Sequence, residues 1–161
     1  MATNNEHIPT VRYRMTDNWS GPIKNLMHTM ASVGSGEGVA HLQRVQFGLD
    51  TNAKKVIHGA GVLTKRRARE IERANVGGKK SGYVPTGNLM RSIDSHDSSN
   101  GMQTEIAPQA MSKKDYEYGQ AVEFGTKKMA AEPFMKPAGD AIGSNLNETA
   151  RKALKQASEE A

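Results

Sequence analysis

Cysteine is absent from the 161 residues, and aromatic side chains make up only 5% of them. The first absence excludes a disulfide scaffold and any thiolate metal site, and it suits a reducing compartment. The second implies a modest, mostly aliphatic core, with nine methionines available as adaptable packing. No apolar run approaches the roughly 20 residues of a membrane span. The opening "MATNNEHIPT" is polar, carries Glu6 and has no apolar stretch of the signal-peptide kind. These features predict a soluble protein made in a cytoplasm, with residues 1–10 as a disordered arm and residues 11–161 as a single domain.

Basic charge is what the chain has in excess. The net charge is +5, and between residues 38 and 80 ten basic side chains stand against three acidic ones, a local balance of +7. Within that region "TKRRARE" gathers Lys65, Arg66, Arg67 and Arg69. No aromatic is interleaved for base stacking, so contact with nucleic acid would be with phosphate rather than with sequence. The competing reading is a solvated helix end or a surface for an acidic partner protein.

Periodicity supplies the elements. "VRYRM" (11–15) alternates as a half-exposed strand does. Trp19, Ile23, Leu26, Met27 and Met30 fall at helical spacing, with Pro22 in the first turn and Gly34 as the stop. "GSGEG" (34–38) reads as a flexible link. From Val39 to about Arg73 the apolar stripe runs through Leu42, Val45, Leu49, Ala53, Val56, Ala60, Leu63 and Ile71, with Arg67 filling the gap. An unbroken helix of that length, roughly 50 Å, would project beyond its own domain. Gly59 and Gly61 are therefore the expected break; without one, neighbouring subunits are expected to cover the excess.

A Gly/Lys loop (75–85) leads to "TGNLMRSI", where Thr86 is placed to cap a single helical turn. "RSIDSH" and "MQTEIA" flank Asn100-Gly101, a hairpin signal, with Ile93, Met102 and Ile106 on the buried face. "DYEYGQAVEF" (115–124) reads as a short helix ended by Gly125 in a left-handed cap. Pro137 opens a last helix whose "SEEA" end frays. The order predicts an α+β fold: a small antiparallel sheet with a β-hairpin, packed against a long central helix and a C-terminal helix.

No catalytic constellation is present. The five histidines form no HExxH pair, and His96 and Asp97, adjacent in a strand, face opposite sides. "GSGEG" and "GGKKSG" both fail the phosphate-loop patterns. Glu123 stands as the one acid in an apolar setting. A raised-pKa base would need a second catalytic group, so the favoured role is pinning the "EFGT" corner through a cation or backbone N–H groups. No enzyme, cofactor or metal is expected.

Three segments in order, "TGNLMRSI", "YGQAVEFGT" and "PFMKPA", resemble the signature of bacteriophage tail-completion and head–tail joining proteins from the neck of long-tailed phages. The matching positions are Thr86, Gly87, Leu89, Ser92, Ile93, Tyr118, Val122, Glu123, Phe124, Gly125, Thr126, Pro133, Phe134, Pro137 and Ala138. Gly119 stands where the family more often has Ala. The match covers residues 86–138, and the upstream elements fit in outline.

The resemblance implies a structural virion protein without catalytic residues. It implies a homo-oligomeric ring, typically a hexamer, that caps the tail tube and joins it to the head connector around the DNA channel. Its partners would be the head connector or stopper, the tail terminator or tail tube protein, and the DNA passing through, with no membrane. It would assemble in the host cytoplasm. The other reading is a basic, sequence-nonspecific nucleic-acid-binding protein.

Overall fold

Ser35 starts the element that organises the molecule. Its Oγ accepts the backbone N–H of Gly38 at 3.2 Å, and helix α2 runs unbroken from Gly36 to Asn75, 40 residues. At 1.5 Å per residue the helix is roughly 60 Å long. Glu37 in its first turn and Arg73 in its last complement the helix dipole. In the computed structural model, residues 8–77, 81–109 and 118–161 are described. Residues 1–7 of the expected 1–10 arm, Lys79, Lys80 and the start of the 115–124 segment lie outside them.

The other elements attach to α2. β1 (Val11–Arg14) and α1 (Ser20–Ser32) precede it. After it come α3 (Asn88–Ser92), β2 (Asp94–Asp97), β3 (Gln103–Ala107), α4 (Gly119–Phe124) and α5 (Met135–Glu159). The strands form an antiparallel sheet in the order β1-β3-β2, with Val11 and Ser95 both opposite Ile106, and Tyr13 and Asp97 both opposite Thr104. This α+β sheet packs on α2 and α5, as the sequence pattern requires. Tyr13 fastens the layers: its hydroxyl lies 2.9 Å from Thr64 Oγ1 on α2 and donates to Gly139 O on α5 at 3.0 Å.

The 34–38 segment is a tight turn and helix start rather than a flexible link, and α2 does not break at Gly59 or Gly61. Gly61 is needed for a different reason: a Cβ there would come within 2.6 Å of Thr104 Oγ1, so its absence lets the sheet approach the helix. The buried face of α2 accordingly uses Ala53, Ile57, Ala60, Gly61, Thr64, Ala68 and Ile71. Val56 and Leu63, two residues of the expected stripe, instead line a groove between α2 and α5.

Met102 is half-buried, and Thr104 takes the inner position beside Ile106. Gly87 at φ 78°, not Thr86, is the residue preceding α3, although Thr86 Oγ1 accepts the Asn88 N–H at 3.4 Å. α5 starts at Met135, two residues before Pro137, which sits inside the first turn where its missing N–H costs nothing. Of its "SEEA" end, Ser158 and Glu159 are helical while Glu160 and Ala161 lie beyond the helix, and the Arg44 guanidinium donates to Ala161 O at 3.1 Å.

Candidate functional site

Leu89, Ile93, Val122, Phe134 and Ala138 are all buried in one core cluster with Ile57, Ala60 and Ala68 of α2. The three segments singled out by sequence therefore converge on the C-terminal half of the long helix. Tyr118 and Met129 pack at the edge of that cluster, and the Tyr118 ring stands 6.4 Å from that of Tyr83.

The "EFGT" corner is built around a carboxylate. Glu123, 4% exposed, takes the backbone N–H of Phe134 at 2.7 Å and of Met135 at 2.9 Å on Oε2, and of Lys136 at 2.8 Å on Oε1. The first N–H groups of a helix have no intrahelical partner, so Glu123 caps α5 from a distance, and its negative charge meets the positive end of the dipole. Of the two roles weighed from sequence, pinning the corner through backbone N–H groups is the one observed.

Gly125 makes the turn possible. Its φ of 73° with ψ of 178° lies in a region open essentially to glycine, an extended positive-φ conformation rather than the expected left-handed cap. A Cβ there would also lie 2.8 Å from both Ala131 N and Met129 O. Beyond it, Thr126 and Met129 exchange backbone hydrogen bonds, and Thr126 Oγ1 accepts the Lys128 N–H at 3.2 Å. Glu132 closes the corner, donating its N–H to Val122 O at 2.8 Å and accepting the Gly77 N–H at 2.7 Å. Thr126 and Pro133 are exposed, and Phe124 points outward, 63% exposed, beside the inward Glu123.

The basic segment divides in two. Lys65 reaches Asp94 Oδ1 at 3.1 Å, Arg67 pairs with Glu70 at 3.2 Å, and Arg69 donates to Ile93 O at 2.7 Å. Those three side chains are engaged within the chain. Arg66 and Arg73 are exposed, and no hydrogen bond or ion pair among the described residues engages them. The hydrogen bond from the Ser95 backbone, with that from Lys65, holds the Asp94 carboxyl below its ordinary value. At Asp97, burial pushes the carboxyl up, but hydrogen bonds from His58 (2.6 Å) and Thr104 outweigh it and the net shift is downward.

Glu72 was missed by sequence reasoning, so Glu123 is not the one acid in an apolar setting. Glu72 is 2% exposed, its Oε1 has no hydrogen-bond partner among the described residues, and burial raises its pKa. Nearby, Tyr83 is pushed up to about 12 by burial, then by Tyr118 and Glu72. The signal was available: Thr64, Ala68 and Glu72 fall four apart on the buried stripe. Among the described residues no group of three or more His, Asp or Glu is placed to hold a metal. No helix there is long and apolar enough to cross a membrane.

No protein-family model, curated protein or solved structure matches the chain.

Proposed function

We propose that the chain is a structural, non-enzymatic assembly protein, and within that class a tail-completion protein of the phage neck. As such it would form a ring, hexameric by the family resemblance, that caps the tail tube and joins it to the head connector around the DNA.

The corner carries this reading. Glu123 commits both oxygens to the α5 backbone, while the neighbouring Phe124 and the 126–129 turn stand outward. A rigid corner that spends its acid internally and displays an aromatic suits a subunit contact better than a reaction centre. The shape of α2 supports the same reading. Its first buried residue is Ala53, and α1, which packs against its N-terminal part, has none. Phe47 on that part is 73% exposed. Neighbouring subunits would cover such a surface.

Negative-stain images of the purified protein, and of the protein mixed with tail tubes, test the proposal. Closed rings, or particles capping tubes, are expected. Monomers or dimers that bind duplex DNA with submicromolar affinity at physiological salt would establish the nucleic-acid-binding alternative instead.

A further inference from the structure

Between α2 and α3 lies a groove of about 380 Å³ lined by Val62, Lys65, Arg66, Arg69, Glu70, Arg73 and Met90, the Glu70 carboxylate being paired with Arg67 at 3.2 Å. We infer that this groove receives an acidic polypeptide segment, seating an apolar side chain against Val62 and Met90 between the carboxylate partners of Arg66 and Arg73.

Three observations lead to this occupant. Lys65 and Arg69 also line the groove; Asp94 offsets the charge of Lys65, whereas Arg69 is held only by the neutral carbonyls of Ile93 and Arg91 and so gives the groove a fixed positive charge. Arg66 and Arg73 remain unengaged by the described residues on the same face of α2, seven residues and so about 10 Å apart. Two carboxylates at that separation would each find a guanidinium, whose planar fork suits a carboxylate. Val62 and Met90 are half-buried and apolar, and Met adapts to varied side chains.

Duplex DNA fits the same surface less well. Two arginines would give a salt slope of only about 1.8 at roughly 0.9 per phosphate, and phosphate has no use for the Val62–Met90 contact. The groove requires no ring and would work on a monomer, so its success or failure is separable from that of the neck proposal.

The experiment selects a library of random twelve-residue peptides against the full chain, and in parallel against the Arg66→Glu/Arg73→Glu variant. Both positions are exposed, so equal melting temperatures will verify that the variant is folded. Peptides selected by the wild type alone should carry two or more Asp or Glu around a Leu, Ile, Met or Phe. The best of them should bind the wild type at least tenfold more tightly than the variant. It should lose at least fivefold when its acids become amides, and again when its apolar residue becomes Ser. Selections that do not differ between the two proteins overturn the inference, and so does a selection that recovers no acidic–apolar pattern. Undiminished binding of the Ser derivative, or tighter binding of a 20-base-pair duplex than of the best peptide in physiological salt, does the same and leaves a purely electrostatic surface.

Discussion

Glu123 Oε2 lies 2.7 Å from the backbone nitrogen of Phe134, eleven residues further along the chain. With the Met135 and Lys136 contacts, one side chain satisfies three N–H groups at the start of α5. Hydrogen bonds to a charged group contribute about 1.5–3 kcal/mol each, and an orphaned buried donor costs about 1–3 kcal/mol. Glu123→Gln keeps one acceptor oxygen and loses the charge, so it should cost about 2 kcal/mol and lower the melting temperature by several degrees. Glu123→Ala should cost more. Thermal melts followed by circular dichroism check both, and an unchanged melting temperature for the alanine variant would remove the capping role.

Gly125→Val should be among the most damaging single changes in the corner. A β-branched residue at φ 73° is strained by about 1–3 kcal/mol before any contact is counted. Its Cβ would meet backbone atoms of Met129 and Ala131 at 2.8 Å, and backbone cannot step aside as a side-chain end can. Low soluble yield is expected, with Gly125→Ala intermediate in a denaturant titration.

Two neighbouring glycines should respond oppositely to the same change. Alanine in a helix interior is favoured over glycine by about 1 kcal/mol. A Cβ at Gly59 meets nothing within 4 Å, so Gly59→Ala should stabilise by about that amount. At Gly61 the Cβ would press on the buried Thr104 hydroxyl at 2.6 Å, and Gly61→Ala should destabilise despite the better propensity. Equal effects in urea titrations would show that the sheet can withdraw from α2 at no cost.

This pair also explains what the sequence could and could not disclose. The order of elements along the chain, the hairpin, both long helices and the Glu123 corner follow from period, turn chemistry and charge. The break expected at Gly59 and Gly61 does not occur, because one helical glycine is a tolerated propensity loss and the other serves close packing. Only the position of Thr104 tells them apart. Likewise steps of three and four place Ala53, Ala60 and Ile71 correctly on the buried face but also admit Val56 and Leu63, whereas the helix turns Ile57, Gly61, Thr64 and Ala68 inward. Glu72 follows Thr64 and Ala68 at steps of four, a spacing that places it inside only once Ala68 rather than Arg67 is known to face the core. Of the four cations singled out, Lys65 and Arg69 are bound to groups more than twenty residues away, which local sequence cannot reveal.

Glu72 gives a pH prediction. Burial raises its pKa, so the folded state holds this proton to higher pH than the unfolded chain does. The ionised side chain therefore weakens folding: the penalty is absent below the ordinary Glu range, grows as pH rises through it, and is complete above the raised folded value. Asp94 and Asp97 have lowered values and act in the opposite sense, losing stability as pH falls. A comparison of wild type with Glu72→Gln isolates the first effect. The melting temperature of the variant relative to wild type should rise from pH 4 to pH 7. A difference independent of pH would mean that Glu72 is not held in its buried site.

The basic segment separates structural cations from those available for contact. Lys65 ties α2 to β2 through Asp94, and Arg69 holds the backbone carbonyls where α3 gives way to β2. Arg69→Gln would leave those carbonyls without their cationic donor and should cost about 1–3 kcal/mol. Arg69→Lys should not restore it fully, since a single ammonium does not reproduce the planar guanidinium. Lys65→Gln should cost less, about 0–1 kcal/mol, because Asp94 is half exposed and the pair is screened. Arg66→Gln and Arg73→Gln remove no hydrogen bond or ion pair among the described residues, and each should stay within about 0.5 kcal/mol of wild type. Any loss of binding or assembly in these last two variants can then be assigned to the surface. Loss in the Arg69 variants must first be corrected for unfolding. Denaturant titrations of the four Gln variants check the ordering, and equal stability of Arg69→Gln and Arg66→Gln would mean that the Arg69 clamp does not form in solution.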